Sequence, residues 1–282
     1  MIGVFDSGFG GLTIHHALIN ALPGKDFVYL GDNKNAPYGT RPPIDVLTLT
    51  CAGLETLFAQ GCTLVVVACN TASVVALRWI QQQWLPARLK QDGIRRNILG
   101  IVVPTIEAAT GLRWHEENKD VANDTHNSTI AVFATARTVE TGTYPFEIRK
   151  RRPDIKVVQQ ACPDLASAIE AGAPRTEIRK MIGHYVAQLN GQLNNKKPDS
   201  VILGCTHYPL VADIFAEALP PDVAIIHQPQ ATAAALKDYI ATHPEYVMSE
   251  NAHHVFLSTG FSAEALPLIE KFWGGKIIFQ NI

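Results

Sequence analysis

Long hydrophobic runs are missing from this chain of 282 residues. No apolar stretch approaches the roughly 18 residues a membrane-spanning helix needs, since runs such as Thr63 to Cys69 end in polar loops. A dominant sign of charge is missing too: 24 Lys and Arg face 26 Asp and Glu, a formal net charge of −2. That balance leaves no electrostatic footprint for nucleic acid, and no polyanion partner is expected. The first residues lack the basic start and long apolar core of a secretory signal, so a cytoplasmic protein is expected. Cysteine is sparse. The five (Cys51, Cys62, Cys69, Cys162 and Cys205) form an odd set without C-x-x-C spacing, which argues against a disulfide framework or a zinc ribbon and for reduced thiols.

What is present is an ordinary globular composition, 47% hydrophobic and 18% charged, on a chain long enough for two domains with real cores. Short apolar runs at 2–5, 27–30, 64–68, 98–103, 130–133, 155–158, 201–203, 223–226 and 255–257 alternate with helical periodicity, clearest at 44–60, 72–84, 165–171, 176–193 and 209–218. Such alternation predicts an α/β fold of two pseudo-symmetric, doubly wound domains, with mainly parallel sheets and a site in the cleft between them. The expected division is 1–97 with 209–282 as the first domain and 98–208 as the second. Residues 111–129 are polar and rich in turn formers, which predicts a surface loop. Its His115 and His126, like the pairs His15-His16 and His253-His254, are read as surface residues rather than metal ligands.

Two of the apolar runs read alike. Leu64-Val65-Val66-Val67-Ala68-Cys69-Asn70-Thr71 parallels Ser200-Val201-Ile202-Leu203-Gly204-Cys205-Thr206-His207, and Ile2-Gly3-Val4-Phe5 returns as Ile130-Ala131-Val132-Phe133. The offsets, 136 for the cysteines and 128 for Ile2 and Ile130, are nearly equal and point to duplication. Each strand delivers a thiol to the carboxyl edge of a sheet, where open α/β sheets bind ligands. Two thiols facing one substrate from opposite sides is the geometry of a two-base proton transfer. Cys69 precedes Asn70-Thr71-Ala72-Ser73 and a helix, whose N-terminus favours a thiolate. Cys205 has His207 two residues on as an acid–base companion, with Pro209 opening the next helix. Cys51, Cys62 and Cys162 lack such surroundings and are read as structural. A zinc site on Cys69, Cys205 and His207 would need a further ligand that no nearby spacing supplies. Asp6-Ser7-Gly8-Phe9-Gly10-Gly11 is not a dinucleotide loop, because Thr13 stands where glycine is needed and Asp6 would repel a pyrophosphate.

The motifs Asp6-Ser7-Gly8-x-Gly10-Gly11, Pro37-Tyr38-Gly39, Ala68-Cys69-Asn70-Thr71-Ala72 and Gly204-Cys205-Thr206-His207-Tyr208-Pro209 appear in this order in glutamate racemases, which the chain resembles over roughly residues 2–210. The resemblance implies a cofactor-independent enzyme that interconverts L- and D-glutamate, supplies the D-isomer for peptidoglycan, and binds no metal. Cys69 and Cys205 then match the two acid–base thiols, Asp6 and His207 the groups that assist them, and Asp32 and Glu170 two further acidic positions, Glu170 as a catalytic auxiliary. Ser7, Tyr38, Gly39, Asn70, Thr71, Thr138 and Thr206, together with Asp6, Asp32 and His207, fall on substrate-binding positions. A homodimer is implied by the resemblance alone.

The chain departs from that pattern at Ala134-Thr135-Ala136-Arg137-Thr138, where Arg137 stands in place of a glycine. If that glycine has a positive φ, Arg137 strains or rebuilds the loop and puts the contacts of Thr138 in question. Asp164-Leu165-Ala166-Ser167 also departs, which loosens the placement of Glu170. Other readings are an aspartate racemase or another two-cysteine enzyme acting on a different acid, a one-thiol decarboxylase, and a binding module without activity. Thr206-His207 after the second cysteine favours glutamate. The presence of both thiols counts against the decarboxylase, and a chiral assay separates enzyme from binding module.

Overall fold

A computed structural model describes residues 1–113, 128–246 and 251–282. The expected loop at 111–129, with His115 and His126, therefore falls mainly outside the described residues. In chain order the elements are β1 (Ile2–Asp6), α1 (Leu12–Ala21), β2 (Phe27–Gly31), α2 (Pro43–Ala59), β3 (Leu64–Val67), α3 (Asn70–Val75), α4 (Leu77–Trp79), a π-helical turn at Ile80–Trp84, α5 (Leu85–Asp92), β4 (Asn97–Gly100) and α6 (Val102–Thr110). They continue with β5 (Thr129–Ala134), α7 (Ala136–Glu140), α8 (Thr143–Arg151), β6 (Lys156–Ala161), α9 (Leu165–Glu170), α10 (Arg175–Gln192), β7 (Ser200–Gly204), α11 (Ala212–Ala218), β8 (Ala224–Ile226), α12 (Gln228–Thr242), β9 (His254–Ser258), α13 (Leu266–Trp273) and β10 (Gln280–Asn281).

The strands form two sheets, in the orders β10-β9-β2-β1-β3-β4 and β6-β5-β7-β8. Every neighbouring pair is parallel. The run β2-β1-β3-β4 repeats as β6-β5-β7-β8, so the two halves share one strand order. Their registers match as well: Ile2 lies opposite Leu64 and Ile130 opposite Ser200, which are the same pairings once the sequence offsets are applied. Cys69 and Cys205 thus leave equivalent strands. Sheet membership sets the crossings of the chain after Gly100 and after Ile226, because β4 pairs with β3 and β8 with β7. These crossings lie later than the expected divisions at 97/98 and 208/209.

Strands β1 and β3 are buried on both faces, as their Val- and Ile-rich sequences require in a parallel sheet covered by helices. Ile2, Val4, Leu64 and Val66 pack against Leu12, Ile14 and Leu18 of α1, while Phe5, Val65 and Val67 turn to Leu54, Leu57 and Phe58 of α2. In the second sheet Phe133 and Leu203 face Ile182 and Phe215, and Val132 and Ile202 face Tyr144 and Ile148. The strand expected at 98–103 stops at Gly100, and α6 begins at Val102. The apolar run alone does not separate a buried strand from a buried helix start, and Pro104 suits a first helical turn. Pro209 lies in a 3₁₀ turn (Tyr208–Val211) ahead of α11 rather than opening that helix.

His15 is not a surface residue. It is fully buried on α1 and ringed by Phe27, Tyr29, Phe256 and Trp273 at centroid distances of 5.3–5.6 Å. Neither ring nitrogen has a hydrogen-bond partner. Burial, helped by the neighbouring His254 and His16, lowers the imidazole to about 3. The folded protein holds His15 neutral, whereas the unfolded chain takes up a proton below about 6.5. This contribution to stability is complete above that pH and is lost as the pH falls toward 3, at up to about 1.4 kcal/mol per unit. His15→Phe is expected to remove that part of the acid slope, read as urea midpoints at pH 7 and pH 5. An unchanged slope would assign the acid sensitivity elsewhere.

Candidate active site

The carboxyl edges of the two sheets meet around a cavity of about 30 Å³. It is narrow, with room for little more than one or two waters. Ser7, Pro37, Gly39, Cys69, Asn70 and Thr71 line it from the first half. Thr135, Ala166, Glu170, Cys205, Thr206 and His207 line it from the second. Both thiols therefore stand at one cavity, and both are buried. Among the described residues, no three His, Cys, Asp or Glu side chains gather as a set able to hold a metal ion.

Cys69 caps α3: its sulfur accepts the Ala72 amide at 3.4 Å. Burial and the nearby Asp6 carboxylate push the thiol up to about 12, against the pull of a Ser7 hydrogen bond and the Ala72 amide. The helix-terminus effect expected to favour a thiolate is therefore outweighed by desolvation and by a like charge. Asp6, at the end of β1, is fully buried. Its Oδ2 accepts the amides of Gly8 and Gly11 at 3.1 and 3.0 Å, and Thr206 Oγ1 lies 3.5 Å from its Oδ1. Burial raises its pKa above the ordinary carboxylate value, opposed by His207 and the two amides.

On the other side, His207 Nδ1 lies 3.8 Å from the Cys205 sulfur and Nε2 lies 3.3 Å from Glu170 Oε2. The second contact is at ion-pair distance without hydrogen-bond alignment. Burial alone would lower the imidazole, but Cys205 and Glu170 together carry it well above its ordinary value. The contacts to Cys205 and Glu170 thus favour the protonated imidazole beside the sulfur. Phe272 of α13 packs edge-on against the ring at 5.4 Å and fixes its plane.

The glycines of the first loop let the halves approach this closely. A Cβ on Gly10 would lie 2.6 Å from both His207 Nδ1 and Thr206 Oγ1, and one on Gly11 would lie 2.5 Å from the Asp6 Cβ. Neither position admits a side chain without displacing these groups.

Four of the expected residues stand behind the cavity wall rather than in it. Asp6 supports the first loop as described. Asp32 spends its oxygens on Asn35 Nδ2 (3.0 and 3.2 Å), Tyr38 OH (2.6 Å) and Thr259 Oγ1 (2.7 Å). Tyr38, buried against Phe5, thereby anchors the turn that presents Gly39. Thr138 is buried beneath Thr71 and Thr135, at 3.3 and 3.1 Å.

Arg137 lies within α7 and has no positive φ, so its replacement of glycine brings no backbone strain. Its guanidinium turns from the cavity, donates to the Arg41 carbonyl at 2.9 Å and pairs with Glu140. It thus ties α7 to the 36–41 segment of the other half.

Thr135 was not foreseen, although it lines the cavity and caps α7 through the Thr138 amide. The 128-residue offset carries Ser7 onto Thr135, so the internal repeat held the signal. Gln228, Tyr144 and Thr105, which surround Asn70, were also missed. They lie far apart in sequence and meet only where the two crossings of the chain converge.

The chain matches the family model for Asp/Glu/Hydantoin racemase over residues 13–236. It is 50% identical over 280 residues to a glutamate racemase of Phenylobacterium zucineum (strain HLK1), covering 99% of each chain. Among solved structures it superposes on a glutamate racemase from Bacillus anthracis with a TM-score of 0.79 at 30% identity, covering 100% of this chain and 97% of that one. It also superposes on the glutamate racemase of Francisella tularensis in complex with D-glutamate, with a TM-score of 0.82 at 25% identity, covering 100% and 96%. With the family model matching most of the chain and a relative matching nearly all of it, the chain belongs to the Asp/Glu/Hydantoin racemase family of enzymes.

Proposed function

We propose that the protein is a glutamate racemase working without a cofactor, with Cys69 and Cys205 as its two acid–base groups. The observation that carries this reading is the pair of buried thiols at equivalent strand ends on opposite sides of one cavity. One sulfur, as thiolate, takes the Cα proton while the other, as thiol, donates a proton to the opposite face. The roles exchange with the direction of reaction.

Asp6 assists Cys69, and His207, oriented by Glu170, assists Cys205. Hydrogen bonds from Ser7, Thr71, Thr206 and the Asn70 amide hold the substrate and stabilise carbanion character at Cα, in a site that excludes water. The high pKa of Cys69 in the free protein makes its thiol a proton donor at rest, and proton abstraction by this sulfur requires prior loss of that proton. Asp32, Tyr38 and Thr138 act on the substrate indirectly, through Gly39 and Thr71. Support for glutamate comes from the near full-length relatives and from Thr206-His207. Supply of D-glutamate to peptidoglycan and a homodimer are what the resemblance implies.

The deciding experiment incubates the protein in D₂O with L- or D-glutamate, aspartate or glutamine, in buffer containing EDTA, and follows enantiomer ratio and deuterium at Cα. Glutamate is expected to racemise with solvent exchange. Turnover of aspartate instead would change the substrate, and loss of activity on dialysis against EDTA would overturn the metal-free scheme. Cys69→Ala or Cys205→Ala is expected to abolish racemisation, whereas Ala at Cys51, Cys62 or Cys162 leaves turnover within about a few-fold. Wild-type racemisation by Cys205→Ala would end the two-base reading.

Because Glu170 raises the His207 pKa, Glu170→Gln lowers it. The alkaline limb of kcat/KM is then expected to move to lower pH, as read in the pH–rate profile. An unmoved limb would separate Glu170 from His207.

Arg137→Ala should leave KM within about threefold, since the side chain faces away from the cavity. It should cost about 0.5–1.5 kcal/mol in chemical denaturation through the lost hydrogen bond to Arg41. A tenfold rise in KM with the fold intact would instead give Arg137 a direct part in substrate binding.

A further inference from the structure

Four buried polar side chains meet where the two crossings of the chain converge: Asn70 on α3, Thr105 on α6, Tyr144 on α8 and Gln228 on α12. Asn70 and Gln228 pair reciprocally. Asn70 Nδ2 donates to Gln228 Oε1 at 2.9 Å, and Gln228 Nε2 donates to Asn70 Oδ1 at 3.1 Å. Tyr144 OH also donates to Asn70 Oδ1, at 2.8 Å. Gln228 Nε2 further faces Thr105 Oγ1 at 3.0 Å and Tyr144 OH at 3.1 Å.

An amide pair of this kind can be drawn with both ends exchanged, so its polarity has to come from a group that cannot reverse. Thr105 provides that group. Its hydroxyl hydrogen goes to the Ile101 carbonyl at 2.6 Å, a bond within α6, and a backbone carbonyl only accepts. Thr105 Oγ1 must therefore accept from Gln228, which fixes Nε2 on the Thr105 side of the Gln228 amide and Oε1 on the other, opposite one end of the Asn70 amide. Asn70 must then present Nδ2 to that oxygen. Its Oδ1 is taken up by Gln228 and Tyr144, and one Nδ2 hydrogen stays uncommitted among these four side chains, on a residue that lines the cavity.

We infer that Gln228 and Thr105 are positioning residues, a relay that sets the Asn70 amide to offer N–H rather than C=O to a substrate carboxylate. A reversed amide would aim its oxygen at the anion. The inference rests on the reading of Asn70 as a substrate contact in a racemase of an anionic amino acid, so wild-type racemisation is measured first.

Given that activity, Gln228→Met is expected to raise KM for both enantiomers about tenfold, the factor one hydrogen bond to a charged group commands. Thr105→Val should act in the same direction, kcat should stay within about threefold in both, and Thr105→Ser should restore the wild-type KM. In an Asn70→Ala background Gln228→Met should add less than about twofold, because the two act through one contact. A KM unmoved by Gln228→Met and Thr105→Val, a Thr105→Ser no better than Thr105→Val, or additive effects with Asn70→Ala would overturn the relay.

A second readout needs no turnover. The side-chain amide signal of Asn70 in a nitrogen–proton NMR spectrum, assigned by its loss in Asn70→Ala, should exchange with D₂O faster in Thr105→Val than in Thr105→Ser. Equal exchange in folded protein would overturn the relay even if wild type fails on glutamate, a failure that would instead sink the substrate reading.

Discussion

The site depends on one constraint: the carboxyl edges of two separate sheets must close on each other tightly, while most of the buried polar groups between them keep a partner. Closure is achieved by leaving out side chains. Gly10 lets the first loop touch His207 and Thr206, and Gly39 rests against Thr135. Partners are supplied by the backbone where possible, as in the two amides that hold Asp6, and by cross-half pairs where not, as in the threonine cluster of Thr71, Thr135 and Thr138. A low-dielectric cavity follows, and it shifts the ionisable groups around it.

Those shifts differ between the two sides. On the Cys69 side burial and a carboxylate oppose ionisation of the thiol. On the Cys205 side the sulfur and Glu170 favour protonation of the imidazole between them, against the effect of burial. One strand order and one register thus carry two electrostatic environments. The difference traces to single positions of the repeat: Thr71 and His207 are equivalent by the 136-residue offset, as are Asn70 and Thr206, yet only one member of the first pair titrates.

Much of this was legible in the residues. Alternation of apolar runs with helical patterns gave parallel sheets because strands buried on both faces read as nearly continuous apolar runs. The twin cysteine segments gave the site because duplication preserves spacing. Roles within the site were less legible. Asp32 and Tyr38 sit in motifs beside the cavity, but their hydrogen bonds point to each other and to Thr259, a partner more than 200 residues on in the chain. His15 has the sequence neighbourhood of a surface histidine, and only the helix phase with Leu12 and Leu18, together with strands distant in sequence, makes it a core residue. Boundaries failed where an apolar strand ran directly into an apolar helix, at Ile101 and Val102.

The unequal halves carry a thermodynamic consequence for a racemase. Its substrate and product are mirror images with an equilibrium constant of one in achiral solvent, yet a protein has no mirror plane, and a rotation between duplicated halves only approximates one. Whatever separates the Cys69 side from the Cys205 side, kcat/KM must be the same for both enantiomers. The asymmetry is therefore expressed only as paired changes, the enantiomer that binds more tightly turning over more slowly by the same factor. Divergence between the two halves since duplication was thereby free to tune which enantiomer lingers on the enzyme, but never the final ratio in solution.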